Sequence, residues 1–199
     1  MLRKPQAFIF IGRSGCGKGT QIDLLKQSLT KADPDCKILH IQTGQGFREF
    51  IKGETFTQKK SRMLYETGQL QPEFLAIQMW ERPLLEGYSG GEHVILDGTP
   101  RKYHEAGVLD SIFGFYGFEG AWVINVEISP AESLKRLLLR KRQDDDEDGI
   151  KKRLAWYETD VAPAVEFYRA NPNYRFLKID GERSIEAIHA DIVKRLGLE

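Results

Sequence analysis

Five short runs of apolar, β-branched and aromatic residues punctuate the chain, at 7–11 (AFIFI), 37–41 (KILHI), 93–97 (HVILD), 121–128 (AWVINVEI) and 174–179 (YRFLKI). Each is apolar at nearly every position rather than at alternate ones, as a strand covered on both faces requires. Longer stretches with helical spacing lie between them, over about residues 18–30, 130–141, 146–168 and 184–196, the last opening on Ser184 as an N-cap. Buried strand alternating with amphipathic helix predicts β-α-β units around a parallel sheet, an α/β class with helices on both faces.

About fifty residues separate the second and third strands, more than one crossover helix needs. This insertion reads as several short helices broken at Gly53 and at TGQLQP (67–72), the place where such a fold would carry a substrate flap. With 199 residues the chain fits one domain, and such a domain buries roughly 70% of its unfolded surface without staples.

Charge adds little at first. Lys plus Arg and Asp plus Glu number 29 each, so nothing pulls the whole molecule toward nucleic acid or a membrane. Two cysteines, Cys16 and Cys36, support neither a disulfide framework nor a zinc cluster. Without a membrane-length apolar run or a leader-like N-terminus, the expected setting is cytoplasmic. The block KRLLLRKR (135–142) abutting DDDED (144–148) reads, by itself, as a solvated helix end. His40, His93, His104 and His189 show no metal-ligand spacing, and Trp80, Trp122 and Trp156 read as packing residues.

The chemistry concentrates in GRSGCGKGT (12–20), directly after the first strand and before a helical pattern. Glycines let a backbone turn its N–H groups toward phosphate oxygens, the helix start adds its positive end, and a lysine supplies a mobile charge. The common spelling, G-x-x-x-x-G-K-[ST], fails by one letter: Gly19 occupies the hydroxyl position and Thr20 follows.

That spelling resembles the loop of the adenylate kinase family and its nucleoside monophosphate kinase relatives, G-x-P-G-[SA]-G-K-G-T, with Ser14 in place of proline and Cys16 in place of the small residue. Four more blocks follow in order. TGQGFRE resembles T-G-[DE]-x-[LF]-R, TGQLQP resembles G-x-[LI]-V-[PT], and VILDGTPR resembles [IL]-D-G-[FY]-P-R. RQDDDEDGIKKRLAWYETDVAPAVEFY (142–168) is similar to the family's closing block without a gap.

The resemblance implies a P-loop NTPase three-layer sandwich with five parallel strands in order 2-3-1-4-5. It also implies a helical insertion at about 42–72 that binds the nucleoside monophosphate, and a minimal lid at about 140–148. It implies ATP and Mg2+ as cofactors, nucleotides as the only partners, no nucleic acid or membrane, and a monomer. ATP would meet Gly12, Ser14, Gly15, Cys16, Gly17, Lys18, Gly19, Thr20, Arg140 and Arg183. The monophosphate would meet Thr43, Gly44, Arg48, Gln69, Leu70, Gln71, Gly98, Arg101, Glu105, Arg142 and Arg153. Thr20 and Asp97 would serve the metal. Lys18, Arg101, Arg140, Arg142 and Arg153 would act on the transferring phosphoryl group, with Asp144 and Asp145 orienting the arginines.

Departures from the family pattern mark the open points. The lid shrinks to RKR (140–142), and Gln45 and Gln71 replace an acid and a valine. Glu105 stands where the family carries an adenine-reading glutamine. An ionised carboxylate only accepts hydrogen bonds, so it would suit guanine's adjacent donors better than adenine, unless Glu105 points into solvent. The expected activity is ATP:AMP phosphotransfer. The alternatives are another monophosphate acceptor, GMP first and UMP or CMP next, or a nucleotide-binding module with weak or no transfer.

Overall fold

The computed structural model of the chain describes residues 4–140 and 147–198. Strands β1 (Ala7–Ile11), β2 (Ile38–Gln42), β3 (His93–Asp97), β4 (Ala121–Glu127) and β5 (Tyr174–Asp180) form one parallel sheet in the order β2-β3-β1-β4-β5. Both fold class and strand order match the expectation.

Side chains alternate across the sheet and divide the core in two. On one face Ile9, Ile11, Val94, Leu96 and Val123 pack under helices α4 (Glu73–Gly87), α5 (Tyr103–Tyr116) and α8 (Ala162–Ala170), through Trp80, Leu84, Leu109, Phe113 and Tyr168. On the other, Phe8, Phe10, Ile95, Ile124 and Val126 meet α1 (Lys18–Ala32) and α9 (Ile185–Leu196), through Ile22, Leu25, Leu29, Ile188 and Ile192. Ser184 caps α9 as expected, its hydroxyl accepting from the Ala187 N–H.

Between β2 and β3 the chain runs through α2 (Thr43–Phe50), α3 (Phe56–Glu66) and α4. A capping box starts α3: Thr55 accepts from the Gln58 N–H while Gln58 accepts from the Thr55 N–H. After β4 come α6 (Pro130–Arg140) and α7 (Glu147–Trp156).

Two expectations need correction. The helix expected over 146–168 is α7 and α8 joined by a π-helical turn, Tyr157–Val161. Pro163 lacks an N–H to bond back into that turn, which favours the wider winding. Helix α5 carries no counterpart in the sequence reading, because Gly107 and Gly114 weaken its propensity. Burial of Ala106, Leu109 and Phe113 on one face supplies what propensity lacks.

At the edge of the sheet away from the loops that follow the strands, His93 is 0% exposed. Its Nδ1 accepts from the Gln6 N–H at 3.0 Å, so the proton of the neutral ring sits on Nε2, 3.7 Å from Asp33. The ligand atoms of Asp33, Cys36 and His93 lie within 4.8 Å of one another. A metal does not suit them: His93 Nε2 has no lone pair to give in this tautomer. The Cys36 thiol donates to the Gly91 carbonyl at 3.2 Å, and burial pushes its pKa up.

Burial lowers the His93 pKa below its ordinary 6.5, with Asp33 opposing. The unfolded chain then binds a proton that the folded one refuses, so this contribution to stability is present above pH 6.5 and lost as pH falls toward the folded value. His40 and His189 shift in the same direction, chiefly by burial. The thermal midpoint of the native protein is therefore expected to fall between about pH 7.5 and about pH 5.5, and to fall less in His93→Gln. Equal falls in both proteins would remove His93 from the explanation.

Candidate active site

Because β3 lies between β2 and β1 in parallel register, the loops leaving all three strands open on one edge of the sheet. There they line a cleft of 720 Å³. Open α/β sheets bind ligands outside the carboxyl ends of their strands, where the strand order reverses.

One wall is the glycine loop. Gly15 and Gly17 adopt φ of 79° and 92°, a left-handed region that side chains disfavour. Gly12 is required for a second reason: a Cβ there would lie 2.3 Å from the Val126 carbonyl oxygen. Ser133 of α6 anchors the loop from behind, its hydroxyl donating to the Ser14 carbonyl at 2.6 Å. Helix α1 starts at Lys18 without a side-chain cap and without an acidic residue in its first turn. Its leading N–H groups and positive dipole end are thus left to an anion. A Cβ on Gly17 or Gly19 would meet nothing within 4 Å, so the loop faces open space. Lys18 Nζ meanwhile folds back onto the Gly12 and Arg13 carbonyls at 2.8 and 3.0 Å and the Cys16 sulfur at 3.3 Å.

Helix α2 and the α3–α4 turn form the opposite wall. Thr43, Gly44, Arg48, Gln69, Leu70 and Gln71 all line the cleft. The position of a Cβ on Gly44 would be 3.5 Å from Arg48 Nη1, so the guanidinium lies in van der Waals reach of the start of α2. The Gln71 amide is occupied at both ends by Ser61: its Nε2 donates to the Ser61 carbonyl at 3.0 Å and its Oε1 accepts from the Ser61 hydroxyl at 2.8 Å. Gln71 therefore ties the turn to α3.

The floor follows β3. Gly98 has φ 68°, and the position its Cβ would take lies 3.8 Å from Lys18 Cε and 4.0 Å from Arg101 Nη2. The two cations flank one point. Arg101 Nε donates to the Gly98 carbonyl at 3.0 Å, and its guanidinium lies 5.6 Å from the centre of the Trp156 ring. Burial pulls the Arg101 pKa below its ordinary value, Glu105 and Asp97 oppose, and Arg153 adds to the fall. Arginine nevertheless remains cationic. Arg153 Nε donates to the Gly149 carbonyl at 3.2 Å, and both Arg153 and Arg140 line the cleft.

Glu105 does not point into solvent. It is 2% exposed, lines the cleft, and accepts from the Arg101 N–H through Oε2 at 3.0 Å. Thr20 and Asp97 also line the cleft, and Asp97 lies 4.0 Å from His40 Nε2. Arg183 is not among the lining residues. It pairs with Asp191 at 2.7 Å and with Asp180 at 3.8 Å, beside α9. Arg142, Asp144 and Asp145 lie outside the described residues, as does most of the expected lid.

Among the lining residues that the sequence does not mark are Arg136, Trp156 and Lys102. Arg136 sits four residues before Arg140, on the same face of α6, so part of the presumed solvated helix end faces the cleft instead. Trp156, expected from the sequence to be a packing residue, lines the cleft under Arg101. Lys102 had no distinguishing signal.

A family model described as adenylate kinase matches residues 10–173. A protein named adenylate kinase 1 from Nostoc sp. is 33% identical over 189 residues, 95% of this chain and 97% of its own length. One named adenylate kinase from Corynebacterium urealyticum is 33% identical over 180 residues, 90% of this chain and 93% of its own. Another, from Leptospira biflexa, is 33% identical over 192 residues, covering 94% and 98%.

The loop geometry separates two glycines by mechanism. Gly12→Ala forces its new carbon against a backbone oxygen and is expected to destabilise the fold by about 1–3 kcal/mol. Gly19→Ala meets open space, so denaturant unfolding should leave stability within about 0.5 kcal/mol of native while nucleotide binding weakens. Equal stability losses in the two variants would contradict the cradle described above.

Proposed function

The chain belongs to the adenylate kinase family, and we propose that it transfers the γ-phosphoryl group of ATP in line to AMP, giving two ADP. The observation that carries this reading is the approach of Lys18, through Cε, and of Arg101, through Nη2, to within about 4 Å of one point beside Gly98. A donor polyphosphate and an acceptor phosphate repel each other, so catalysis consists of bringing them together and stabilising the charge that develops.

Each residue has a part in that task. The N–H groups of the glycine loop and of the first turn of α1 receive the donor phosphates, and Lys18 exchanges its bonds to the Gly12 and Arg13 carbonyls for phosphate oxygens. Arg48 and Arg101 hold the acceptor phosphate. Arg140 and Arg153 close on the transferring group, whose planar oxygens suit the guanidinium fork. We assign Arg142 the same role from its place in the sequence. No general base is needed, since the acceptor phosphate is already largely ionised at neutral pH.

Thr20 and Asp97 offer only oxygen donors, which fits Mg2+, a cation that keeps several waters and takes one or two carboxylates. When bound there it would neutralise charge on the β- and γ-phosphate oxygens. The reading treats residues 1–199 as one kinase unit, the insertion at 42–72 serving the acceptor. No helix among the described residues is long and apolar enough to cross a membrane.

A coupled assay of ATP consumption with AMP, GMP, CMP, UMP or dTMP tests the proposal. Transfer to AMP is the expected result; no transfer to AMP, hydrolysis without an acceptor, or no turnover at all would contradict it. Arg101→Ala and Arg153→Ala should remain folded and lose on the order of 10³-fold in kcat. Normal turnover in either variant would remove that arginine from the mechanism.

A further inference from the structure

Among the described residues three carboxyl groups line the cleft, Asp23, Asp97 and Glu105, and only Glu105 is buried. A carboxylate in a wall built for polyanions repels phosphate. Its partner is therefore better sought in the uncharged part of the acceptor nucleotide. The cleft's apolar lining residues, Phe47 of α2, Leu70, and Ala76 of α4, belong to the same acceptor-side elements and would cover the faces of a planar ring. Resting on the kinase reading above and on the base-reading position that Glu105 holds in the family pattern, we propose that the Glu105 proton selects the purine of the acceptor: the acid form takes adenine and the carboxylate takes guanine.

The hydrogen bond already present on Glu105 orients the group. The Arg101 N–H donates to Oε2, so Oε2 is the carbonyl-type oxygen and a proton belongs on Oε1, which receives no hydrogen bond from the described residues. In the acid form Oε1–H donates to adenine N1, while Oε2 uses its second lone pair to accept from the adenine amino group. In the ionised form both oxygens accept, matching guanine N1–H and its exocyclic amino group, while adenine N1 would face a lone pair.

The surroundings act on that proton in both directions. Burial pushes the Glu105 pKa up, the strongest influence. The Arg101 N–H, the Arg101 charge and Lys102 pull it down, and Glu73, at the start of α4, pushes it up. Glu73 is itself 3.6 Å from His104 of α5, and the phenol of Tyr168 of α8 also faces Glu105. A raised carboxyl pKa places the change from acid to carboxylate above the ordinary range, so the acid form is lost as pH rises.

The test is the ratio of kcat/KM for AMP to that for GMP, measured with excess ATP and Mg2+ from about pH 5.5 to about pH 8.5, in the native protein and in Glu105→Gln. Both acceptors carry the same phosphate, so its titration cancels in the ratio. In the native protein the ratio is expected to fall by about 10- to 100-fold as pH rises. Glu105→Gln, which keeps the acceptor for the Arg101 N–H and a fixed donor beside it, should favour AMP at every pH. A native ratio that does not move with pH, or a variant that tracks the native protein, overturns the proposal. Direct binding titrations with AMP and GMP over the same range separate this from the kinase reading. If neither acceptor is turned over at any pH, the kinase reading falls, and the binding ratio still decides for or against Glu105.

Discussion

Repulsion between like charges held close together is the constraint on which the rest of this molecule depends. Lys18 Cε and Arg101 Nη2 lie no more than about 8 Å apart beside Gly98, and unit charges about 8 Å apart repel by about 2 kcal/mol at an effective dielectric of about 20. Arg153 adds to that repulsion, as its effect on Arg101 shows. The cations stay because backbone carbonyls receive them: Gly12 and Arg13 for Lys18, Gly98 for Arg101, Gly149 for Arg153. The Gly12, Arg13 and Gly98 carbonyls directly follow buried strands, β1 at every residue and β3 at all but its last. A stiff apolar sheet is thus what lets the edge of the molecule hold a charge distribution that becomes favourable only when phosphates arrive.

The strands were legible because burial on both faces leaves near-continuous apolar runs, and all five observed strands lie within a residue of the expected bounds at each end. The glycine loop was legible because only glycine serves where φ is 79° or 92° or where a carbonyl would lie 2.3 Å from a Cβ. What stayed hidden had a tertiary cause. Helix α5 forms by burying Ala106, Leu109 and Phe113 in spite of two glycines. Trp156 follows the helical spacing of a core residue, and only the arrival of Arg101 from another element turns it into a cleft residue. The sequence could not separate a buried Glu105 from a solvated one either, since its depth is set by helices distant in the chain. Arg183 shows the converse. It lies at a position the family resemblance marks, yet Asp191 holds it against α9.

The one-letter departure in the glycine loop has a simple geometric meaning. Helix α1 begins at Lys18, so Gly19 and Thr20 are both in its first turn, and moving a hydroxyl by one position swings it about 100° around the axis. Thr20 still lines the cleft, while Gly19 leaves an open face where a side chain would otherwise stand. The loop keeps its amides, its lysine and its hydroxyl, and gains unobstructed backbone beside them.

Two of the helices that begin at this edge of the sheet treat negative charge in opposite ways. Helix α1 has no acid in its first turn, so its positive end is available to a phosphate. Helix α5 carries Glu105 in its first turn, and that carboxyl already accepts from the Arg101 N–H. The start of α5 is therefore occupied by the protein's own acid, and what approaches it must be matched to that acid rather than to a bare dipole. Here the helix field and Arg101 favour the ionised form while burial favours the neutral one. A glutamine at this place would present one donor and one acceptor regardless of conditions. A carboxyl poised between these opposing influences presents either pattern, and a single proton then decides which hydrogen-bonding edge the wall of the cleft offers.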